Sequence, residues 1–295
     1  MARGDPSMRV GLVVHPTREV DDEISALRRW AREHDGEIVQ VDAQEREFAE
    51  RADAEDTDLI VTLGGDGTML SGLRMGAPAN RPVLGAACGS LGVLTAVEAD
   101  ALPHALDRFG AGDWIARSVP ALEAEYDDGR SLTALNDLAL IRSGEGQVTT
   151  EATVDGALYA RVVGDGFVVS TPIGSSAYTM AAGGPLLAPG ADAFVFIPLA
   201  SHGGSVPPLV VGARSTLALS IGLGHGGARL EVDGDTVRAE PESLTVQLRT
   251  ETATLVTFDD AEPLLAGLRR RRILMDSPRV LARDQREGDA SDSCG

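Results

Sequence analysis

Residues 59–70 read LIVTLGGDGTML. Leu59–Leu63 is an unbroken run of β-favouring side chains, too short for a core helix, and predicts a strand buried on both faces. Gly64, Gly65 and Gly67 permit a sharp turn, and Met69–Met75 predicts a helix directly behind it. A strand that empties into glycines and reopens as a helix is one step of an open α/β sheet. It also marks where function is expected, because ligands bind such sheets at the carboxyl ends of the strands.

The residues around this unit keep the same alternation. Met8–His15 predicts a buried strand and Val20–Glu33 a helix, with Ile24, Leu27, Trp30 and Ala31 at helical spacing. Glu37–Val41 predicts a strand, the acidic stretch to Asp56 a helix, and Pro82–Ala86 another strand. A parallel, doubly wound α/β domain is expected over residues 1–115. The pattern then changes. Val119–Tyr126, Ser131–Arg142, Gln147–Val154 and Ala157–Val163 predict short strands separated by turns such as Asp127-Asp128-Gly129 and Asp155-Gly156. Strand-like runs continue at Ala193–Pro198, Leu209–Val211, Thr216–Ile221, Arg229–Val232, Ser243–Arg249 and Thr252–Phe258. A β-rich, sandwich-like domain is expected over residues 116–262. Leu264–Leu274 is expected as a short helix or strand that packs back onto the first domain, and residues 277–295 as a flexible polar tail.

Composition narrows the chemistry. The 295 residues carry 45 acidic and 26 basic side chains, a net charge of −19, and every basic residue is an arginine. Without lysine there is no Walker A loop, no Schiff base and no lysine general base. Phosphate must be met by backbone amides, arginine or a metal ion. The negative charge excludes electrostatic binding to nucleic acid or to an anionic membrane. It also suits a salt-rich cytoplasm, where dense charge is screened over about 3 Å at molar salt. Aromatic residues make up only 4% of the chain, so an aliphatic core is expected. Cys88 and Cys294 form no metal or disulfide pattern. The start of the chain lacks an apolar signal segment and no run approaches a membrane span, so a cytoplasmic location is expected.

The exposed amides of the turn at 64–68 and of the helix start form a nest for an anion, and phosphate is the expected guest. Asp66 repels an anion, so its place inside the nest calls for proton abstraction from a hydroxyl or for positioning of Mg²⁺. The plain alternative is a linking turn with Thr68 as helix N-cap. A second constellation runs from Gly164-Asp165-Gly166 through Ser170-Thr171-Pro172-Ile173-Gly174-Ser175-Ser176-Ala177-Tyr178 to Gly183-Gly184-Pro185. Small residues beside an aromatic ring offer a flat slot for a purine, with Ser and Asp groups at its edge. A Gly/Ser-rich connecting turn is the other reading of the same residues.

GGDGT behind LIVTL resembles the signature of the NAD kinase and diacylglycerol kinase superfamily, and phosphofructokinases carry a similar turn. The block DGxxVSTPxGSxAYxxxAGGP resembles the NAD kinase fingerprint, which the lipid kinases lack. Leu135-Asn136-Asp137 resembles the Asn-Glu pair of that family, the segment at 89–95 its GxLGFLT, and Val232-Asp233-Gly234 and Pro208–Val211 further family motifs. The resemblance implies a kinase that phosphorylates the 2′-hydroxyl of the adenosine ribose of NAD, with ATP or polyphosphate as donor and Mg²⁺ travelling with the phosphates. It implies Asp66 as base or orienting carboxylate, and Gly64, Gly65, Gly67 and Thr68 as the nest for the donor or the NAD pyrophosphate. It further implies Asn136 and Asp137 on ribose hydroxyls, Asp165, Ser176, Ala177 and Tyr178 around the nucleotide, and assembly as a homodimer or homotetramer.

Ala87, Ile173 and Pro207 stand where the family has hydrogen-bonding residues, and Asp137 is one methylene shorter than glutamate. A divergent paralogue, either a kinase for another nucleoside or polyol or a silent NAD(P)-binding regulator, is therefore the alternative, and retention of Asp66 favours an enzyme. His202 and Cys88 are expected to be structural. Arg269–Arg272 is either a phosphate-neutralising patch at a subunit interface or a solvated basic end.

Overall fold

The computed structural model describes residues 8–41, 50–89, 92–188 and 190–283. The first third contains strands β1 (Arg9–Val14), β2 (Glu37–Gln40), β3 (Glu50–Arg51), β4 (Leu59–Gly64), β5 (Pro82–Ala87) and β6 (Val97–Glu98), with helices α1 (Asp21–Glu33), α2 (Asp66–Ala79) and α3 (Leu102–Gly110). The strands pair in the order β3-β2-β1-β4-β5, all parallel. Buried Ile24, Leu27 and Trp30 of α1, with Leu102 and Leu106 of α3, cover the sheet face formed by Leu12, Leu59, Val61 and Leu63. Met69, Leu70 and Leu73 of α2 cover Val13, Ile60 and Val83 on the opposite face. The alternation of the two faces along Leu59–Leu63 explains why the strand is apolar at every position. α2 lies close to the sheet because Gly72 and Gly76 leave no room for side chains, a Cβ at Gly72 falling 2.3 Å from Thr62 Cγ2.

The remaining elements are β7 (Ile115–Tyr126), β8 (Ser131–Ala134), β9 (Asp137–Arg142), β10 (Val148–Val154), β11 (Ala157–Gly164), β12 (Gly166–Ser170), α4 (Tyr178–Ala181), β13 (Ala193–Leu199), β14 (Leu209–Gly212), β15 (Leu217–Leu223), β16 (Ala228–Val232), β17 (Asp235–Val237), β18 (Ser243–Thr257) and α5 (Leu264–Arg270). An antiparallel sheet runs β14-β13-β12-β9-β16-β17. It packs on a layer built from β11, β10, β15, β18, β7 and β8, with Phe167, Phe194 and Phe196 among the core residues. Three phenylalanines at the centre make this core less purely aliphatic than composition suggests.

An α/β amino-terminal half and a β-rich sandwich are both present, as expected. Several details differ. The sheets are not separate, because β18 pairs with β15 and β7 in the sandwich and continues parallel to β5 through Thr254↔Pro82 and Leu255↔Val83. The two runs expected at 243–249 and 252–258 are thus one strand, irregular between Arg249 and Ala253. The run Ser131–Arg142 is in turn two strands, because the chain changes sheets at Leu135-Asn136. In the stretch expected as helix up to Asp56, Glu50–Arg51 is a short strand and Ala54–Asp56 a single 3₁₀ turn, while residues 42–49 lie outside the described residues. Of the expected tail, residues 278–283 are helical, and 284–295, including Cys294, lie outside the described residues. Among the described residues, no helix is long and apolar enough to cross a membrane.

Candidate functional site

The parallel strand order reverses between β1 and β4, and a crevice opens beyond the carboxyl ends of these strands. A cavity of about 640 Å³ fills it, lined by His15, Arg18, Gly65, Gly67, Thr68 and Ser71 among others. Gly65 is the N-cap of α2, with extended backbone and no side-chain cap. The amides of Asp66, Gly67 and Thr68 therefore have no carbonyl one turn back, and Met69 N is the first to donate within the helix, to Gly65 O at 3.0 Å. These glycines serve space rather than unusual dihedrals, since none has positive φ. A Cβ at Gly64 would fall 2.1 Å from Thr68 Oγ1, whereas one at Gly65 or Gly67 meets nothing within 4 Å. Gly64 seats the helix on the strand, and Gly65 and Gly67 keep the amides approachable. Thr68 is the third helical residue rather than the cap, and its Oγ1 is buried without a hydrogen-bond partner.

Asp66 opens the helix and its two carboxylate oxygens are separately engaged. Oδ1 accepts from Leu94 N at 2.9 Å, and Oδ2 accepts from Arg271 Nη1 at 2.9 Å. The turn that brings Leu94 here requires Gly92, whose Cβ would sit 2.3 Å from Asp66 Oδ1. Ser90 and Leu91 of this turn lie outside the described residues.

The second cluster forms where the chain crosses between the sheets. Asp233, in the left-handed region at φ 51°, turns a fully buried carboxylate onto three successive amides. Oδ2 accepts from Leu135 N at 3.1 Å, and Oδ1 from Asn136 N at 2.6 Å and Asp137 N at 3.2 Å. Arg74 of α2 approaches the same carboxylate at 3.7 Å and pairs with Asp235 at 2.6 Å, which ties the helix that carries Asp66 to this turn. The turn at 171–177 folds onto it. Thr171 N donates to Asn136 O at 2.9 Å, Thr171 Oγ1 donates to Leu135 O at 2.7 Å, and a Cβ at Gly174 would fall 1.9 Å from Asn136 O. Ser176 Oγ donates to Ile173 O at 2.9 Å, exposed Ala177 precedes α4, and half-buried Tyr178 opens it.

The electrostatics of this cluster follow from its burial. Asp137 is 7% exposed, and burial, then Asp233 and Glu231, push its carboxyl up to about 7. The Tyr178 phenol is raised by burial, with Glu231 and Asp137 adding to the shift and Arg229 opposing it. The side-chain oxygen Oδ1 of Asn136 is buried without a partner. Asn136, Asp137, Ser176, Ala177 and Tyr178 are thus brought together. Asp165 is not. It precedes β12, whose Ser170 pairs with Asp137 while Gly166 pairs with Ile141 at the other end. Five residues of strand separate Asp165 from the Asp137 end, roughly 17 Å, and its Oδ1 accepts from Arg142 Nε at 2.6 Å. Within one chain Asp165 therefore does not line the slot, contrary to expectation, because the strand carries it away.

His202 lies at that far end, where it contacts Gln147 and donates its amide to Val163 O at 2.8 Å. Ala87 is buried in β5 opposite Gly64, Ile173 packs among apolar residues, and Pro207 O accepts from Tyr159 Oη at 2.6 Å. The Cys88 thiol is pushed up, by burial first and then Glu23, with Arg18 opposing, which disfavours a thiolate. Sequence reasoning missed Arg18, Arg74 and Asp233 as parts of the site, and left Arg271 undistinguished within its run. Only the match of Val232-Asp233-Gly234 to a family motif pointed toward one of them.

The sequence profile of the ATP-NAD kinase N-terminal domain matches residues 10–114, and that of the ATP-NAD kinase C-terminal domain residues 135–257. An NAD kinase of Chlorobaculum tepidum is 32% identical over 77% of this chain and 83% of its own, and one of Chlorobium phaeobacteroides is 30% identical over 86% and 93%. An NAD kinase of Heliobacterium modesticaldum is 38% identical, but the chain spans only 64% of its length. The fold resembles that of yeast NADH kinase complexed with NADH, with a TM-score of 0.76, 21% identity and coverage of 93% and 90% of the two chains. It also resembles an NAD kinase from Archaeoglobus fulgidus in complex with ATP, with a TM-score of 0.66, 24% identity and coverage of 86% and 94%. Matches at both halves and along most of the length of such relatives mean that this chain belongs to the NAD kinase family.

Proposed function

We propose that this chain transfers the terminal phosphoryl group of ATP, or of polyphosphate, to the 2′-hydroxyl of the adenosine ribose of NAD, giving NADP. The observation that carries the reading is Asp66 at the first residue of α2, beside three helix-start amides and the unpartnered Thr68 hydroxyl. Backbone donors suit phosphate, and a carboxylate among them suits the hydroxyl that attacks it. Gly64, Gly65, Gly67 and Thr68 hold donor or pyrophosphate oxygens. Asp66 accepts the proton of the 2′-hydroxyl or orients it. Asn136 and Asp137 accept and donate to ribose hydroxyls, and Ser176, Ala177 and Tyr178 bound the base. Asp165 is left out of the slot of its own chain.

Mg²⁺ fits these residues as an ion carried by the donor. It binds through phosphate oxygens and one or two carboxylates rather than an all-protein cage, and among the described residues no three His, Cys, Asp or Glu converge to form such a cage. When bound it neutralises phosphate charge. A homodimer or homotetramer in the cytoplasm, with no nucleic-acid partner, completes the reading.

The test is formation of NADP by the purified protein, with ATP and with polyphosphate, across KCl from dilute to molar. Binding of NAD without NADP at any salt would favour a regulator, and turnover of another nucleoside or polyol a divergent kinase. The net charge of −19 also leads us to expect that the melting temperature rises between dilute buffer and molar KCl. A midpoint that ignores salt removes the halophilic reading.

A further inference from the structure

The run Arg269–Arg272 closes α5 and is not a uniform basic patch. Arg269 makes a two-pronged pair with Asp276 at 2.9 and 2.6 Å, and Arg270 pairs with Glu262 at 3.0 Å. Both bonds are local, within eight residues. Arg271 instead reaches back 205 residues, its Nη1 donating to Asp66 Oδ2 at 2.9 Å. The backbone aims it there. Leu268 is fully buried and anchors α5, Arg271 N donates to Gly267 O, and Arg272 turns left-handed at φ 59°. Ile273 N and Leu274 N then fold back onto Leu268 O at 3.0 and 3.3 Å, which closes the helix end around the guanidinium's base.

We propose that Arg271 is a catalytic residue of the phosphoryl transfer, a guanidinium held beside the attacking hydroxyl to take up charge on the phosphoryl group. The inference rests on the kinase reading above. A hydroxyl hydrogen-bonded to Asp66 puts the phosphorus it attacks within about 5 Å of the carboxylate, which is the reach of a guanidinium already bonded to that carboxylate. Arg271 spends Nη1 on Asp66, and a guanidinium has five N–H donors in a planar fork suited to phosphoryl oxygens. In the transfer, the bond from the ribose 2′-oxygen to the terminal phosphorus forms. The bond from that phosphorus to the bridging oxygen of the donor breaks, and its electron pair leaves with the nucleoside diphosphate of ATP or with the shortened polyphosphate. The hydroxyl proton passes to Asp66. Arg271 exchanges no proton and stabilises the oxygens between the two bonds. In a chain without lysine, this arginine supplies a fixed positive charge beside Asp66.

The experiment compares R271A, R271K, R269Q and R270Q with the wild-type chain. The readouts are kcat, KM for NAD, melting temperature, rescue by added guanidinium, and calorimetric binding of tripolyphosphate. R271A is expected to lower kcat by about 100-fold or more with KM for NAD and melting temperature near wild type. Guanidinium and the lysine variant should each recover part of the rate. R271A should also bind tripolyphosphate roughly tenfold more weakly, while R269Q and R270Q stay near wild type in both. A kcat for R271A within about threefold of wild type overturns the proposal, as does a loss that tracks a fall in melting temperature and resists guanidinium. If the wild-type chain forms no NADP but R271A alone loses tripolyphosphate affinity, the kinase reading fails and the phosphate role stands. If the wild-type chain is active and R271A matches it in rate and binding, the kinase reading stands and the proposal fails.

Discussion

The turns at 64–68 and 135–137 dispose of their backbone amides in opposite ways. At 64–68 the backbone does the work: amides without carbonyl partners, glycines that leave them open, and one carboxylate at the rim. At 135–137 the amides are already taken by Asp233, and the side-chain oxygens of Asn136 and Asp137 are the polar groups left to a ligand on the proposed reading. The first turn offers donors and suits phosphate oxygens. The second offers carboxylate and amide oxygens and suits hydroxyls. On the proposed reading, the acceptor and the phosphoryl donor are sorted between them by polarity, before any shape is considered.

The sharpest way to break this division is Asp66→Asn. It keeps an acceptor for Leu94 N but removes the base, so kcat for NADP formation should fall by about 10²- to 10⁴-fold. NAD affinity measured by calorimetry should change little, and a parallel loss of NAD binding would assign Asp66 to the wrong turn. The next effect belongs to the second turn. Asp137 titrates near 7 because it is buried close to Asp233 and Glu231, and only its ionised form accepts from hydroxyls with both oxygens. KM for NAD should therefore fall about tenfold between pH 6 and pH 8, and Asp137→Asn should flatten the profile. The same shift works against the empty fold. The unfolded chain releases this proton near pH 4, so the stability lent by neutral Asp137 is lost as pH rises from about 4 through 7.

Smaller effects separate the glycines of the first turn. Gly64→Ala forces its Cβ onto Thr68 and should cost about 2 kcal/mol, a drop of roughly 5 °C in melting temperature. Gly67→Ala meets no atom within 4 Å, so it should leave melting unchanged and raise KM for the donor only about twofold to fivefold. If the two variants behave alike, the contrast between a seating glycine and an approach glycine is lost.

Much of this was legible in the sequence. Leu59–Leu63 followed by glycines can be little else than a buried strand ending in a sharp turn, and the spacing of Ile24, Leu27, Trp30 and Ala31 predicts the buried face of α1. What escaped was information that distance in sequence hides. Arg271 looks like its neighbours until the fold brings it to Asp66, 205 residues away. Asp165 sits in the same motif as Tyr178, yet a strand running between them sends the two to opposite ends of the sheet. Arg74 carries no local signal and Asp233 stands out only through its family motif, because nothing in the sequence announces the ion pair that joins α2 to the turn at 135–137. The break in Ser131–Arg142 was hidden for the same reason, since Asp233 supplies the hydrogen bonds that let the chain leave one sheet for the other.

β18 carries a consequence for how the protein is made. Fifteen residues long, it pairs β15 at its start, β7 on both sides of its irregular centre, and β5 beyond that centre. The α/β half thus lacks one of its strands until residue 257 has left the ribosome, although its other strands were finished by residue 98. During that interval β6 already pairs with Ala86 and Ala87, and only the start of the β5 edge, at Pro82 and Val83, waits for its partner. A pairing between residues 82 and 254 also carries a long loop-closure delay, so completion of the fold belongs to the slow end of the folding spectrum. Once it closes, one continuous strand joins the sandwich to the parallel sheet.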